Sequence, residues 1–246
     1  MQRSIKEFVG ICSITLPLPD PIYEFGSRQM PGQEGYADLR SFFDGRSYTG
    51  SDYIAGPGVD VILDLHKLDL PDSSVGTALL IDVLEHVQFP QQAVSELHRV
   101  LKPDGVLVVT SVMKFPIHAS PYDYWRFTPE GFKTLLQDFP QVFIGFAGDE
   151  DFPNEIVAIA ARHQSVKLDS FLQHYRLWQV RWTPRLPTLT KAFRRGIAPF
   201  LPSVLTGSNY ELWVRRIYPS TSAKTKGFIK LLLPEMFLNL LRKVRQ

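Results

Sequence analysis

P-I-Y-E-F-G-S-R-Q at 21–29, S-Y-T-G-S-D-Y at 47–53 and V-D-V-I-L-D at 59–64 decide how this chain folds. Residues 21–25 form a short apolar strand stopped by Gly26. Tyr36, Leu39, Phe42 and Phe43 then recur at near-helical spacing until Gly45, a natural C-terminal stop. Residues 47–52 and 59–64 read as two further short strands, separated by the turn-forming Gly56-Pro57-Gly58, and each ends in an acid. A strand, a glycine turn, a helix and strands tipped with carboxylates are the parts from which an α/β sheet builds a pocket for an adenosine-bearing ligand.

The same alternation continues downstream. Residues 76–83 are a continuous apolar run of the kind buried on both faces of a parallel sheet. Pro90 opens a helix with Ala93, Val94, Leu97, Val100 and Leu101 on one face. Lys102-Pro103-Asp104-Gly105 makes a turn, and 106–112 is a β-branched strand. Thr128-Pro129-Glu130 caps a helix carrying Phe132, Leu135, Leu136 and Phe139 at i, i+3, i+4, i+7. Residues 141–146 and 156–161 are strands around an acidic loop at 149–151, close enough to pair antiparallel. Together these predict a doubly wound, mostly parallel sheet complete by about His163.

At 246 residues and 44% apolar, the chain can bury a sizeable core. A lone Cys12 excludes an internal disulfide and a cysteine-based metal cluster, and makes a reducing, cytoplasmic compartment the expectation. No metal ligands are nominated. The apolar run at 8–18 is broken by polar residues and Pro17 and is too short to span a bilayer, and neither a signal peptide nor a spanning helix is expected. The net charge of +2 hides an asymmetry: residues 1–164 hold 12 Lys and Arg against 22 Asp and Glu, residues 165–246 hold 15 against 3. This places a sheet domain at 1–164 and a basic, mainly helical extension at 165–246, ending in a helix from Pro234 with Phe237, Leu240, Leu241 and Val244 on one face. The basic third fits anionic lipid headgroups at the inner membrane surface, an anionic glycan, the acidic front domain or nucleic acid, which ranks third for want of a binding motif.

The glycine pattern is incomplete, with Gly26 and Gly32 but no full G-x-G-x-x-G, so a dinucleotide is poorly supported. Asp52 stands where an acid accepts from ribose hydroxyls, Tyr53 beside it can flank an adenine face, and Asp64 with the backbone at Leu65 and His66 can read the adenine edge. M-K-F-P-I-H-A-S-P-Y-D-Y-W-R-F-T at 113–128 is dense in His, Asp, Trp and Arg. His118 and Asp123 are candidate general bases and Arg126 an anion contact; the alternative is that Asp123 and Arg126 pair with each other while the aromatics wedge the loop onto the core. His86 reads as a structural cap after the fourth strand.

Y-E-F-G-S, S-D-Y, L-D-L-H-K-L-D-L-P, I-D-V-L-E-H-V and L-H-R-V-L-K-P-D-G-V-L-V-V together resemble the successive motifs of class I S-adenosylmethionine-dependent methyltransferases, specifically the type 11 methyltransferase domain, over about residues 20–162. The resemblance implies a Rossmann-like seven-stranded sheet with an antiparallel last strand and transfer of a methyl group from S-adenosyl-L-methionine. It also implies Glu24 and Gly26 near the methionine moiety, Asp52 at the ribose, Asp64 and Leu65 at the adenine, and Asp82 facing the reaction centre. E-F-G-S-R-Q-M-P-G replaces the family's E-x-G-x-G-x-G, which makes Arg28 a candidate contact for the cofactor carboxylate. The expected activity is O-methylation of a sugar, lipid-linked or other small-molecule acceptor. The rivals are a non-catalytic cofactor-binding or assembly protein and a nicotinamide-dependent Rossmann enzyme.

Overall fold

The computed structural model describes residues 1–118, 121–164 and 166–183. Seven strands, β1 (Ile22–Phe25), β2 (Tyr48–Asp52), β3 (Val61–Ile62), β4 (Val75–Ile81), β5 (Leu101–Val112), β6 (Gln141–Asp149) and β7 (Phe152–Ala161), form one sheet in the order β3-β2-β1-β4-β5-β7-β6. The first five run parallel, and β7 is antiparallel to both β5 and β6. All seven residues of β4 are buried, as its largely apolar sequence requires of a central strand, with the Thr77 hydroxyl donating to Pro19 O (2.8 Å). The chain winds outward from β1 through β2 to β3 and then returns to the other side of β1 with β4. That reversal is a topological switch point, which leaves a crevice beyond the carboxyl ends of β1 and β4.

Helices cover both faces. On one, α2 (Pro90–Val100) and α3 (Pro129–Leu135) pack Val94, Leu97, Val100 and Phe132 against Ala78, Leu80, Leu107 and Val109. Pro90 occupies the first turn of α2, and the Thr128 hydroxyl accepts from the Gly131 amide (3.0 Å) to cap α3, as their sequences predict. On the other face lie α1 (Arg3–Thr15) and α4 (Asp169–Trp182). Ile5, Phe8, Val9 and Cys12 recur at helical spacing and are fully buried with Phe171, Tyr175 and Trp178 of α4. Burial of this kind contributes about 1.5–3 kcal/mol per large side chain.

Several expectations change: β3 keeps only Val61–Ile62 of the strand read over 59–64, the turn read at 102–105 lies within β5, and two further differences concern the helices. The helix anticipated over 36–43 shrinks to a 3₁₀ turn at Arg40–Phe43, with Tyr36 left exposed. Gly26, Gly32 and Gly35 all take positive φ in the preceding loop, so the segment cannot nucleate a longer helix. Leu39 and Phe43 instead pack beside α1, whose i, i+3, i+4, i+7 pattern lies in the sequence within what reads as an interrupted apolar run. The boundary expected at 164–165 falls ahead of α4, yet the Trp178 indole donates to Ser4 O (2.7 Å) inside the core and Trp182 to the Glu7 carboxylate (2.9 Å). The compact unit accordingly runs from Met1 to Pro184. The expected helix from Pro234 and the rest of the basic extension beyond 183 lie outside the described residues. Among the described residues no helix is long and apolar enough to cross a membrane.

Candidate functional site

The crevice at the switch point is a cleft of about 690 Å³, lined by residues from the ends of β1, β2 and β4 and from the loop after β5. Glu24, Gly26, Arg28, Asp52, Tyr53, Asp64, Leu65, Asp82 and His118 all border it. Asp123 does not.

The wall after β1 depends on glycine. Gly26 has φ +85°, and a Cβ there would stand 2.2 Å from Val83 Cγ2, so only glycine lets the β1 and β4 ends approach this closely. Arg28 lies against Gly56, and its Nε is buried with no hydrogen-bond partner among the described residues. A buried guanidinium nitrogen without an acceptor beside an open cleft suits an anionic ligand group such as a carboxylate. Glu24, 5% exposed, accepts from the Tyr48 hydroxyl. Burial pushes its carboxyl up to about 7 against the opposing pull of Tyr48 and Arg40.

At the end of β2, Asp52 accepts from the Ile54 amide (3.1 Å) and, more weakly, from the Arg28 amide (3.4 Å), which leaves lone pairs for hydroxyl donors; Tyr53 beside it is exposed along the rim. Asp64 follows β3 and accepts from the His66 amide (2.9 Å) and ring (2.8 Å). Partial burial raises its carboxyl, but these bonds outweigh that and hold it below the usual value. Asp82, at φ +53°, has its backbone tied to Thr110 and accepts from the Thr110 hydroxyl (2.7 Å); burial pushes its carboxyl up. A non-glycine residue in the left-handed region costs about 1–3 kcal/mol, and here it aims a carboxyl into the cleft.

Opposite these acids the loop after β5 is stitched to the 3₁₀ turn at Leu84–His86. Tyr124 and Trp125 amides donate to Glu85 O (2.7 and 3.2 Å), the Trp125 indole to Val87 O (2.9 Å), and the His86 ring pairs with Tyr122 O (2.6 Å). His86 thus has the structural bond expected of it and also faces the cleft, where burial lowers its basicity. Asp123 is corrected as a candidate base. Arg126 grips both of its oxygens (2.5 and 2.7 Å) and holds it well below the usual carboxylate range, which is the pairing the sequence offered as the alternative. It also accepts from the His118 amide (2.8 Å) and lies 3.2 Å from His118 Nδ1, so it orients the imidazole. The same Nδ1 is 3.2 Å from Pro116 O, an acceptor only, which makes Nδ1 the protonated nitrogen and leaves the Nε2 lone pair free to accept.

Glu85, which the sequence reading does not nominate, also borders the cleft. It is 1% exposed, one oxygen accepts from Ser111 (2.7 Å), and burial with the adjacent Asp82 raises its carboxyl. L-E-H-V at the carboxyl end of a buried strand was the available signal. Tyr53, Phe115, Tyr122 and Tyr124 form an exposed aromatic rim. The cleft therefore offers hydroxyl acceptors at one end, an anion contact in the middle and an imidazole–carboxyl group at the other end.

Residues 51–109 match the model of a family described as a methyltransferase domain. An uncharacterized 37.1 kDa protein in transposon TN4556 of Streptomyces fradiae is 48% identical over 54 residues, 22% of this chain; the match spans only 16% of that protein. Among solved structures, the chain is similar to an S-adenosylmethionine-dependent methyltransferase of Thermotoga maritima described as a possible histamine N-methyltransferase, at 15% identity and TM-score 0.50, covering 65% of this chain and 89% of that one. It is also similar to the Burkholderia thailandensis 1,6-didemethyltoxoflavin-N1-methyltransferase with its substrate and S-adenosylhomocysteine bound, at 16% identity and TM-score 0.48, covering 65% and 78%.

Proposed function

We propose that this chain, which carries a methyltransferase domain on the seven-stranded fold of the S-adenosylmethionine-dependent methyltransferases, binds S-adenosyl-L-methionine in the switch-point cleft and methylates a hydroxyl oxygen of a small acceptor. The observation that carries this reading is the convergence in one cleft of Asp52 and Asp64, the Gly26–Arg28 turn, and His118. Asp52 holds the ribose hydroxyls, Tyr53 flanks the adenine, and Asp64 with the Leu65 backbone reads its edge. Arg28, with its unpartnered buried Nε, takes the methionine carboxylate, Glu24 lies by the same moiety, and Asp82 faces the reaction centre. The cofactor supplies an activated methyl group on a sulfonium.

With an activated donor, alignment does much of the work, orientation contributing up to about 7–11 kcal/mol of the barrier. Proton removal falls to the imidazole group at the far end, where Asp123 and Pro116 O keep His118 Nε2 as the acceptor; a base of this kind adds about 10²- to 10⁴-fold. The aromatic rim favours an acceptor with an apolar face, such as a sugar or lipid-linked ring. The positive charge beyond residue 183 is the part we assign to an anionic membrane surface, with the enzyme cytoplasmic and peripheral.

Calorimetry with S-adenosylmethionine, S-adenosylhomocysteine and NAD, followed by labelled methyl transfer into fractionated small-molecule, glycan, lipid, protein and RNA pools, tests the reading. Saturable binding of the first two ligands and alkali-stable label in a small-molecule or glycan pool are expected. Binding of NAD alone would overturn it, and cofactor binding with no labelled pool would favour a non-catalytic binder. Liposome sedimentation with and without residues 224–246 checks the membrane contact, which fails if truncation changes nothing at low salt.

A further inference from the structure

We infer that Glu85, His86 and His118 form a binding site for one divalent first-row transition cation at the acceptor end of the cleft. One nitrogen from each imidazole and a Glu85 carboxylate oxygen all lie within 4.8 Å of one another, and all three residues border the cleft. Donors on one tetrahedral ion stand about 3.4 Å apart at ordinary bond lengths near 2.1 Å, so closure around an ion needs the donor atoms to draw together by up to about 1.5 Å. The two rings are already close, with centroids 4.7 Å apart at 82°.

Two independent features point to a cation. Glu85 Oε1 is buried and has no hydrogen-bond partner among the described residues, although Oε2 is held by Ser111. An orphaned carboxylate oxygen in a protein interior calls for a cation or a proton donor. Both imidazoles have Nδ1 engaged, that of His86 by Tyr122 O and that of His118 by Asp123 and Pro116 O, which leaves Nε2 of each for a ligand. Backbone carbonyl and carboxylate partners on the far nitrogen are what orients metal-ligating histidines. Arg126, bidentate on Asp123, fixes that outer partner in turn. Two imidazoles and one carboxylate select zinc, manganese, iron or cobalt over magnesium or calcium, and leave positions open for an outside ligand.

The inference rests on the methyl-transfer reading only for what the ion would do. The acceptor hydroxyl would fill an open position and its proton would pass to solvent water while the oxygen keeps the electron pair on the cation; His118 then serves as a ligand in place of acting as the base.

The test uses the full, untagged chain stripped with chelator. Titration with Zn²⁺ in a calorimeter is expected to show one site, and Co²⁺ to give visible ligand-field bands; His86→Asn and His118→Asn should each weaken Zn²⁺ binding at least tenfold and abolish those bands. Both imidazoles are half-buried, and circular dichroism verifies that each variant is folded. The chain has six histidines, so one equivalent of Zn²⁺ bound equally well by both variants would place the ion elsewhere and overturn the inference, as would the absence of any binding. S-adenosylmethionine titration of the same samples separates the two readings. Cofactor binding without a cation site sinks only this inference, and a cation site without cofactor binding sinks only the methyl-transfer reading.

Discussion

Replacing Glu24 by Gln should make the protein more stable at alkaline pH, although it removes a carboxylate from the cleft. Glu24 is almost fully buried, and burial raises its carboxyl from 4.5 to about 7. A carboxyl harder to ionise in the folded chain keeps its proton there between about pH 4.5 and 7, where the unfolded chain has lost it. Its favourable contribution is therefore complete below pH 4.5 and disappears as pH rises through 7. A difference of that size corresponds to about 3 kcal/mol. Gln is close in shape to the protonated acid and retains an acceptor for the Tyr48 hydroxyl, so Glu24→Gln and wild type should be nearly equal in stability at pH 4.5. By pH 8 the variant should exceed wild type by up to about 3 kcal/mol. Urea denaturation followed by far-ultraviolet circular dichroism and tryptophan fluorescence at half-unit steps from pH 4.5 to 8 measures this. Parallel pH profiles for the two proteins would refute the reasoning, because they would mean that Glu24 titrates alike in the folded and unfolded chains.

Asp52→Ala should weaken S-adenosylmethionine binding by about 10- to 100-fold, the loss expected for hydrogen bonds to a charged group, and calorimetry giving unchanged affinity would remove Asp52 from the site. Gly26→Ala forces an L side chain to φ +85° with its Cβ 2.2 Å from Val83; a destabilisation of at least ~1–2 kcal/mol and a fall of several degrees in Tm are expected by calorimetric scanning. Trp178→Ala removes a 3% exposed indole and its bond to Ser4 O, costing about 3–5 kcal/mol by denaturant titration. If α4 were instead a detachable part of the extension, that change would leave stability untouched.

Much of the architecture was legible because it is encoded locally. The buried run read at 76–83, the Pro90 and Thr128-Pro129 helix starts and Asp52 at the end of β2 each depend on a few neighbouring residues, whereas Asp64 falls two residues past the short β3. The 36–43 helix misled because four apolar residues at the right spacing do not outweigh three positive-φ glycines ahead of them. α1 is hidden in the sequence for the converse reason: its polar residues interrupt an apolar run in one dimension but fall mostly on the outer face of a helix in three.

The sequence alone determined the doubly wound sheet, the glycine turn and the acids that end its strands, since strand period, turn chemistry and helix caps act over short separations. Only the tertiary structure decided that Glu85 and His86 meet His118 across the intervening residues 87–117, that Asp123 serves Arg126 and His118 rather than the cleft, and that α4 belongs to the core. Those outcomes depend on where the 3₁₀ turn after β4 and the loop after β5 are carried by the parallel pairing of their strands. Long-range pairing brings side chains together by register, and register is a property of the assembled sheet.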